Sequence, residues 1–221
     1  MDRLVIHKTH DGSHTFYSSK LGEYYHSIFG AVNESVHVFI NSAFSHHQAK
    51  EVSIFEMGFG TGLNVLLTML RAGEERRKVV YHSIEKFPLS VELVQQLNYP
   101  DLFSGEGALW FEAIQSCAWE KDYRITDFFT LRKLRGDLAY HDFEGRYDII
   151  YFDAFSPDKQ PELWSVDIFS RLYDIMNPGG ILTTYSSKSL VRRAMESGGF
   201  EVEKTPGPPG KREMLRATKS I

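Results

Sequence analysis

The sequence predicts an α/β fold, a doubly wound and mostly parallel sheet with helices on both faces. Three observations predict it. Apolar strand-like runs alternate with helix-period segments from residue 52 to 198. A glycine-rich turn, Gly58, Gly60 and Gly62, joins the first of these runs to its helix. Two strand-like runs at the end, 200–205 and 212–218, are separated only by a Pro- and Gly-rich turn and are therefore expected to be antiparallel.

Taken in order, residues 1–48 read as an N-terminal extension, a hairpin rich in aromatic residues followed by a helix over 31–48. Residues 49–221 read as the main domain. Its first strand is "VSIFEMG" (52–58), followed by the helix "GLNVLLTMLRAGEE". "KVVYHSIEKF" is the second strand, followed by the helix "LSVELVQQLN". "FFTLRKLRGD" holds a strand and a turn, and "YDIIYFDAF" is an apolar strand. A helix over 161–176, the strand "GGILTTYS", a helix over 188–198 and the closing strand pair complete the domain. Neither an internal repeat nor a low-complexity linker is present.

Composition narrows the function classes. The chain has 221 residues, 42% hydrophobic and 24% charged, enough for a sizeable core in one domain with a small appendage. No stretch approaches the roughly 20 apolar residues that span a bilayer, and the N-terminus lacks the apolar run of a signal peptide. A cytoplasmic protein is the plain expectation. The single cysteine, Cys117, excludes an internal disulfide and a thiolate metal cluster. The nine histidines are not accompanied by acidic residues at ligand spacing, so no metal site is expected. Net charge is −4, but residues 186–221 carry eight Lys and Arg against four Asp and Glu, a local net of +4 on an acidic body. Such a region reads either as a solvated face or as a phosphate-tracking surface.

The glycine turn is where a doubly wound sheet binds a ligand. Its spacing is G-x-G-x-G, with Leu63 where a dinucleotide fingerprint has its third glycine, and no Gly-Lys-Ser/Thr follows. Glu56, two residues before Gly58, would repel a pyrophosphate and attract an amino group. Glu85, at the end of the second strand, can accept from both hydroxyls of a ribose. Asp137, after the third, can accept from an adenine amino group. These acidic residues describe an adenosine carrying an amino-acid tail. S-adenosylmethionine fits, and NAD fits less well.

The stretches "EMGFGTGLN", "IEKFPLS", "DAFSPDKQPELWS", "NPGGILTTYSS", "VRRAMESGGFEVEK" and "GKREML" resemble the methyltransferase domain of MnmC-type tRNA-modifying enzymes over about residues 13–218. Specific pieces are Phe59 inside the glycine turn, Glu-Lys-Phe-Pro after the second strand, Asp-x-Phe-x-Pro-x-Lys-x-Pro-x-x-Trp, and Gly-Lys-Arg-Glu-Met. The resemblance implies a class I methyltransferase (Rossmann-like) sheet of seven strands, the last antiparallel. It implies S-adenosylmethionine as cofactor and methylation of 5-aminomethyl-2-thiouridine at the wobble position of tRNA, giving 5-methylaminomethyl-2-thiouridine. It also implies a single-domain form without the fused flavin-dependent oxidase, so that the aminomethyl substrate comes from elsewhere, through a separate oxidase or another modification enzyme. This chain departs from the family pattern at Ala154, commonly Gly, and at Gln160, commonly Asn.

Methyl transfer to an amine requires an acceptor for the ammonium proton in a water-poor pocket. Asp153, ending "YDIIYFDAF", is the catalytic candidate, and in the family this position contacts the reacting amine. The cofactor set is Glu56, Gly58, Phe59, Gly60, Thr61, Gly62, Asn64, Glu85, Lys86, Asp137 and Asp153. Phe155, Pro157 and Trp164 are candidates to stack an extruded base. Lys159, Lys188, Arg192, Arg193, Lys211 and Arg212 are candidates to meet the anticodon stem-loop backbone. Alternative readings are an N-methyltransferase of a small amine, a non-catalytic adenosine-binding module, and a nicotinamide oxidoreductase.

Overall fold

The computed structural model describes residues 2–103 and 105–221. Strands β1 (Leu4–Lys8), β2 (His14–Ser18) and β3 (Glu23–Tyr24) form a small antiparallel sheet. Helix α1 (Ala31–Ser35) runs on as π-helical turns over Val36–Phe44. The main sheet holds β4 (Glu51–Met57), β5 (Lys78–Glu85), β6 (Asp122–Thr126), β7 (Phe129–Arg135), β8 (Tyr147–Phe152), β9 (Met176–Thr184), β10 (Glu201–Pro206) and β11 (Glu213–Thr218). Its order is β10-β11-β9-β8-β4-β5-β7-β6.

Strands β9, β8, β4, β5 and β7 are mutually parallel. The last strand, β11, enters antiparallel beside β9, and β10 pairs on its far side. The sheet therefore has eight strands rather than seven. The extra one is β6, a largely exposed edge strand running antiparallel to β7. Its polar sequence, DYRIT, carries no apolar run to mark it.

Helix α2 (Leu63–Glu75) follows β4, and its first residue follows a left-handed Gly62. Short helices α3 (Val91–Val94) and α4 (Tyr99–Leu102) lead to α5 (Glu106–Ser116). The helix expected over 161–176 is split. A 3-10 turn, Pro161–Trp164, ends at Ser165, whose side chain caps α6 (Val166–Ile175). Helix α7 (Ser189–Ser197) precedes β10.

Each face of the sheet has its own apolar core. One joins α2 and α5 to the π-helical turns and to Phe16 of the small sheet. The other packs α6 and α7 against Phe55, Ile150, Phe152 and Leu182. The N-terminal segment thus shares a core with the sheet instead of hanging from it. No described helix is long and apolar enough to cross a membrane.

Strand order reverses between β4 and β8, which are neighbours in the sheet. Their carboxyl ends are where an open α/β sheet has its ligand crevice. Register makes the closeness explicit. Met57 pairs with Phe152, and the Asp153 amide donates to the Met57 carbonyl at 3.0 Å.

Candidate active site

The glycine turn is shaped first by the protein's own backbone. Gly58, Gly60 and Gly62 all have positive φ. A Cβ on Gly58 would stand 2.5 Å from the Asp153 carbonyl oxygen, so a side chain is excluded there. A Cβ on Gly62 would meet Gln115 Nε2 at 2.7 Å. The Gly58 amide donates to the Ile84 carbonyl at 3.0 Å, which ties the turn to the end of β5.

A cavity of about 1040 Å³ opens at these strand ends. Small-molecule sites usually occupy about 300–1,000 Å³, so this one is large enough for a nucleoside cofactor and part of a second ligand. Gly58, Phe59, Gly60 and Asn64 line it from the first turn, Glu85 and Lys86 from the second, and Asp137 from the third. Asp153 and Phe155 line it from the loop after β8.

Asp153 accepts a hydrogen bond from Asn64 Nδ2 at 2.8 Å. Burial, reinforced by the Glu34 carboxylate, pushes its carboxyl up to about 7 against the opposing pull of Asn64 and Lys211. It can therefore release and accept a proton near neutrality. Glu85 accepts from the amides of Phe87 at 2.8 Å and Gly60 at 3.2 Å. Burial raises its carboxyl despite these bonds. Lys86 donates to Asp137 at 2.7 Å, and this pair holds Asp137 below its ordinary range although burial opposes it. Glu85 and Asp137 present carboxylate oxygens into one cavity beside bare glycine backbone. This donor and acceptor set fits S-adenosylmethionine, with Glu85 and Asp137 placed to hold the nucleoside and the loop 58–60 to admit the tail.

Several expected site residues lie elsewhere. Glu56 does not line the cavity. It is 1% exposed, accepts from Ser83 Oγ at 2.6 Å, and is pushed up to about 8 by burial. A carboxyl buried on a sheet face beside Ser83, and biased by burial toward its neutral form, does not reach the cavity. Gly62 and the Thr61 carbonyl meet Gln115 of α5, and Thr61 is buried outside the cavity wall. Trp164 is 2% exposed, donates from Nε1 to the Phe155 carbonyl at 2.9 Å, and meets the Phe152 ring at 4.9 Å. It fastens the loop from below and offers no face to a base. Pro157 is likewise buried outside the cavity wall.

The expected basic grip is also altered. Lys211 turns inward. Its Nζ donates to Glu34 at 2.7 Å and lies 4.0 Å from the centre of the Tyr185 ring. Lys188 pairs with Asp158, and Arg192 pairs with Glu196 at 2.8 Å. Lys159 is exposed beside Gly22. Arg193 and Arg212 are exposed and have no ion-pair partner among the described residues.

The N-terminal segment supplies a wall that the sequence did not single out. Tyr25, Glu34 and Phe29 line the cavity, as does Tyr185 from the end of β9. Tyr25 packs edge-on against Phe155, with ring centres 5.0 Å apart. Glu23 accepts from both the amide and the hydroxyl of Ser156 at 3.1 Å, which clips the small sheet onto the loop after β8. The clustered aromatics of "GEYYHS" were the available signal.

Comparison with known proteins agrees with this geometry. Residues 107–220 match the family described as S-adenosyl-L-methionine-dependent methyltransferase. The tRNA 5-methylaminomethyl-2-thiouridine biosynthesis bifunctional protein MnmC of Aeromonas salmonicida is 32% identical over 225 residues, covering 90% of this chain and 33% of that protein. The protein of the same name from Campylobacter hominis is 35% identical over 170 residues, covering 75% of this chain and 25% of that protein. The chain spans about a third or less of the length of these relatives. Among solved structures, MnmC2 from Aquifex aeolicus superposes with a TM-score of 0.80 at 26% identity, over 100% of this chain and 72% of that one. Spermidine synthase from Thermotoga maritima shares the fold, with a TM-score of 0.65 at 14% identity over 100% of this chain and 69% of that one. The sheet topology, the cavity at its switch point and these matches agree, and the chain belongs to the S-adenosyl-L-methionine-dependent methyltransferases.

Proposed function

We propose that this methyltransferase acts on tRNA, converting 5-aminomethyl-2-thiouridine at the wobble position to 5-methylaminomethyl-2-thiouridine. The observation that carries the reading is Asp153, a carboxyl near pKa 7 held by Asn64 at the mouth of the glycine turn and facing a cavity walled by aromatic rings. The names of the relatives supply the modification and the nucleoside.

The bound cofactor supplies an electrophilic methyl group on a sulfonium, whose sulfur leaves as a neutral thioether. The acceptor must present a free amine lone pair, and an alkyl ammonium at pH 7 lacks one. Asp153, held by Asn64, would take the ammonium proton and orient the nitrogen that receives the methyl group. Carboxylates at Glu23, Glu34 and Asp153, opposed by Lys211 on Glu34, leave this side of the cavity net negative toward a cationic aminomethyl group. Tyr25 and Phe155 offer flat faces to an extruded base, with stacking worth about 1–3 kcal/mol per base. Lys159, Arg193 and Arg212, exposed and without an ion-pair partner among the described residues, are available for the anticodon stem-loop, and a separate oxidase is the expected source of the aminomethyl form.

The test is incubation with isotope-labelled S-adenosylmethionine and tRNA lacking the last methyl group, followed by nucleoside mass spectrometry. Label in 5-methylaminomethyl-2-thiouridine supports the reading. Unlabelled tRNA together with labelled small amines overturns it in favour of a small-amine methyltransferase.

A further inference from the structure

We propose that Lys133, a buried lysine of β7 outside the cavity, is a positioning residue that braces the cofactor-binding turn from behind. Lys133 is 1% exposed and has no carboxylate partner among the described residues. Its Nζ donates instead to two main-chain carbonyls, Ile114 at 2.9 Å and Gln115 at 3.0 Å. Both lie in the last turn of α5, where carbonyls lack intrahelical partners and the helix end is negative. The ammonium therefore completes a helix C-terminus inside the protein.

Two paths lead from that ammonium to the glycine turn. The first runs through Gln115, whose backbone Lys133 holds and whose Nε2 donates to the Thr61 carbonyl at 2.9 Å. Gln115 also lies where a Cβ on Gly62 would stand, so the amide is packed directly under the turn. The second runs through the aromatic rings. Lys133 Nζ is 5.4 Å from the centre of the Phe59 ring and 5.1 Å from that of Trp119, and the two rings meet edge-on at 5.5 Å. Phe59 in turn lines the cavity. Cation–ring attraction of this kind is strongest where water is excluded.

A buried ammonium is costly unless every proton finds a partner. An aliphatic residue would fill the same volume more cheaply. What it could not do is hold the end of α5 and the Phe59 ring at fixed distances together. Burial lowers the lysine from its ordinary range against the opposing pull of Cys117, and both carbonyls accept from its N–H groups. The energetic cost of placing Lys133 here is spent on the two elements that shape the cofactor turn.

The experiment uses the full chain and S-adenosylhomocysteine as probe, with binding measured by calorimetry and by the change in tryptophan fluorescence. Lys133→Met is expected to weaken binding roughly tenfold, the equivalent of about 1.4 kcal/mol. The donor KM rises in parallel, kcat at saturating donor stays within about twofold, and the fluorescence response of Trp119 shrinks. Gln115→Leu breaks the first path and leaves the ammonium with both its carbonyls. It is expected to weaken binding in the same direction, by less, and it decides the matter alone if Lys133→Met does not fold. A folded variant of either kind that binds the probe with wild-type affinity overturns the proposal, as does a drop in melting temperature with no change in affinity.

Discussion

The two halves of the cavity are built by different means. The cofactor half rests on three neighbouring strand ends, with Gly58 directly after β4, Glu85 the last residue of β5 and Asp137 two residues beyond β7. Its geometry follows from sheet register. The acceptor half is assembled from distant segments. Glu34 and Lys211, 177 residues apart in sequence, form an ion pair at 2.7 Å, and Tyr25 reaches Phe155 across the clip between Glu23 and Ser156. One half is a property of the fold, and the other is a property of how the N-terminal segment docks.

The sharpest test of that division sits on the boundary between the halves. Asp153→Asn keeps a carbonyl for Asn64 but cannot take a proton, and methyl transfer should fall by about 10²–10⁴, measured as kcat with the donor saturating. In the wild type, activity should fall as pH drops through about 7, because the ionised carboxylate is the active form. The stability effect has the opposite sense. Folding raises this carboxyl from 3.8 to about 7, so the folded state holds its proton more tightly than the unfolded chain. The resulting penalty is absent well below pH 4, grows between the two values, and is complete above about 7. Asp153→Asn should therefore melt higher than wild type at pH 8, by about 2–4 °C for each kcal/mol recovered, and the difference should vanish toward pH 4.

Gly58→Ala comes next. A Cβ 2.5 Å from the Asp153 carbonyl, at a φ of 95°, forces two backbones apart. Cofactor affinity and kcat should fall together, with a stability loss of about 1–3 kcal/mol read by denaturant titration. A crossed pair then separates the halves. Glu85→Gln should raise the donor KM, roughly tenfold, and leave the acceptor KM alone, whereas Phe155→Ala should do the reverse through a lost stacking face of about 1–3 kcal/mol. If both variants move both constants equally, the division is wrong. The smallest effect belongs to Arg193→Glu and Arg212→Glu. Each should weaken tRNA binding uniformly across sequences and flatten its dependence on salt, with no effect on binding of S-adenosylhomocysteine.

The same division governs how much could be read without coordinates. Strands buried on both faces are apolar runs by necessity, so β4, β5, β8 and β9 stand out, and with them the residues that follow each strand. Edge strand β6 is exposed and polar, and nothing in DYRIT requires a sheet. Glu56 looks like a ligand by its place before the glycines, but its side chain is buried on a sheet face beside Ser83 of the neighbouring strand and does not line the cavity. Trp164 has the chemistry of a stacking residue, and only tertiary packing shows that its ring is spent on Phe152. The basic tail reads as one patch until individual partners are known. Lys188, Arg192, Lys204 and Arg216 each meet a nearby carboxylate, although such surface pairs are worth only about 0–1 kcal/mol and exchange readily for phosphate. Tyr25 and Glu34 escaped because no local period connects them to a site formed more than a hundred residues later.

Gly58 lies against the main-chain carbonyl of Asp153. The contact is backbone to backbone, so it demands glycine at 58 and fixes where residue 153 stands, whatever side chain that residue carries. Change of substrate must then enter from the side that is not welded to the sheet. A methyltransferase of this build would acquire a new acceptor by rewriting the residues ahead of its π-helical turns, while the strand ends stay as they are.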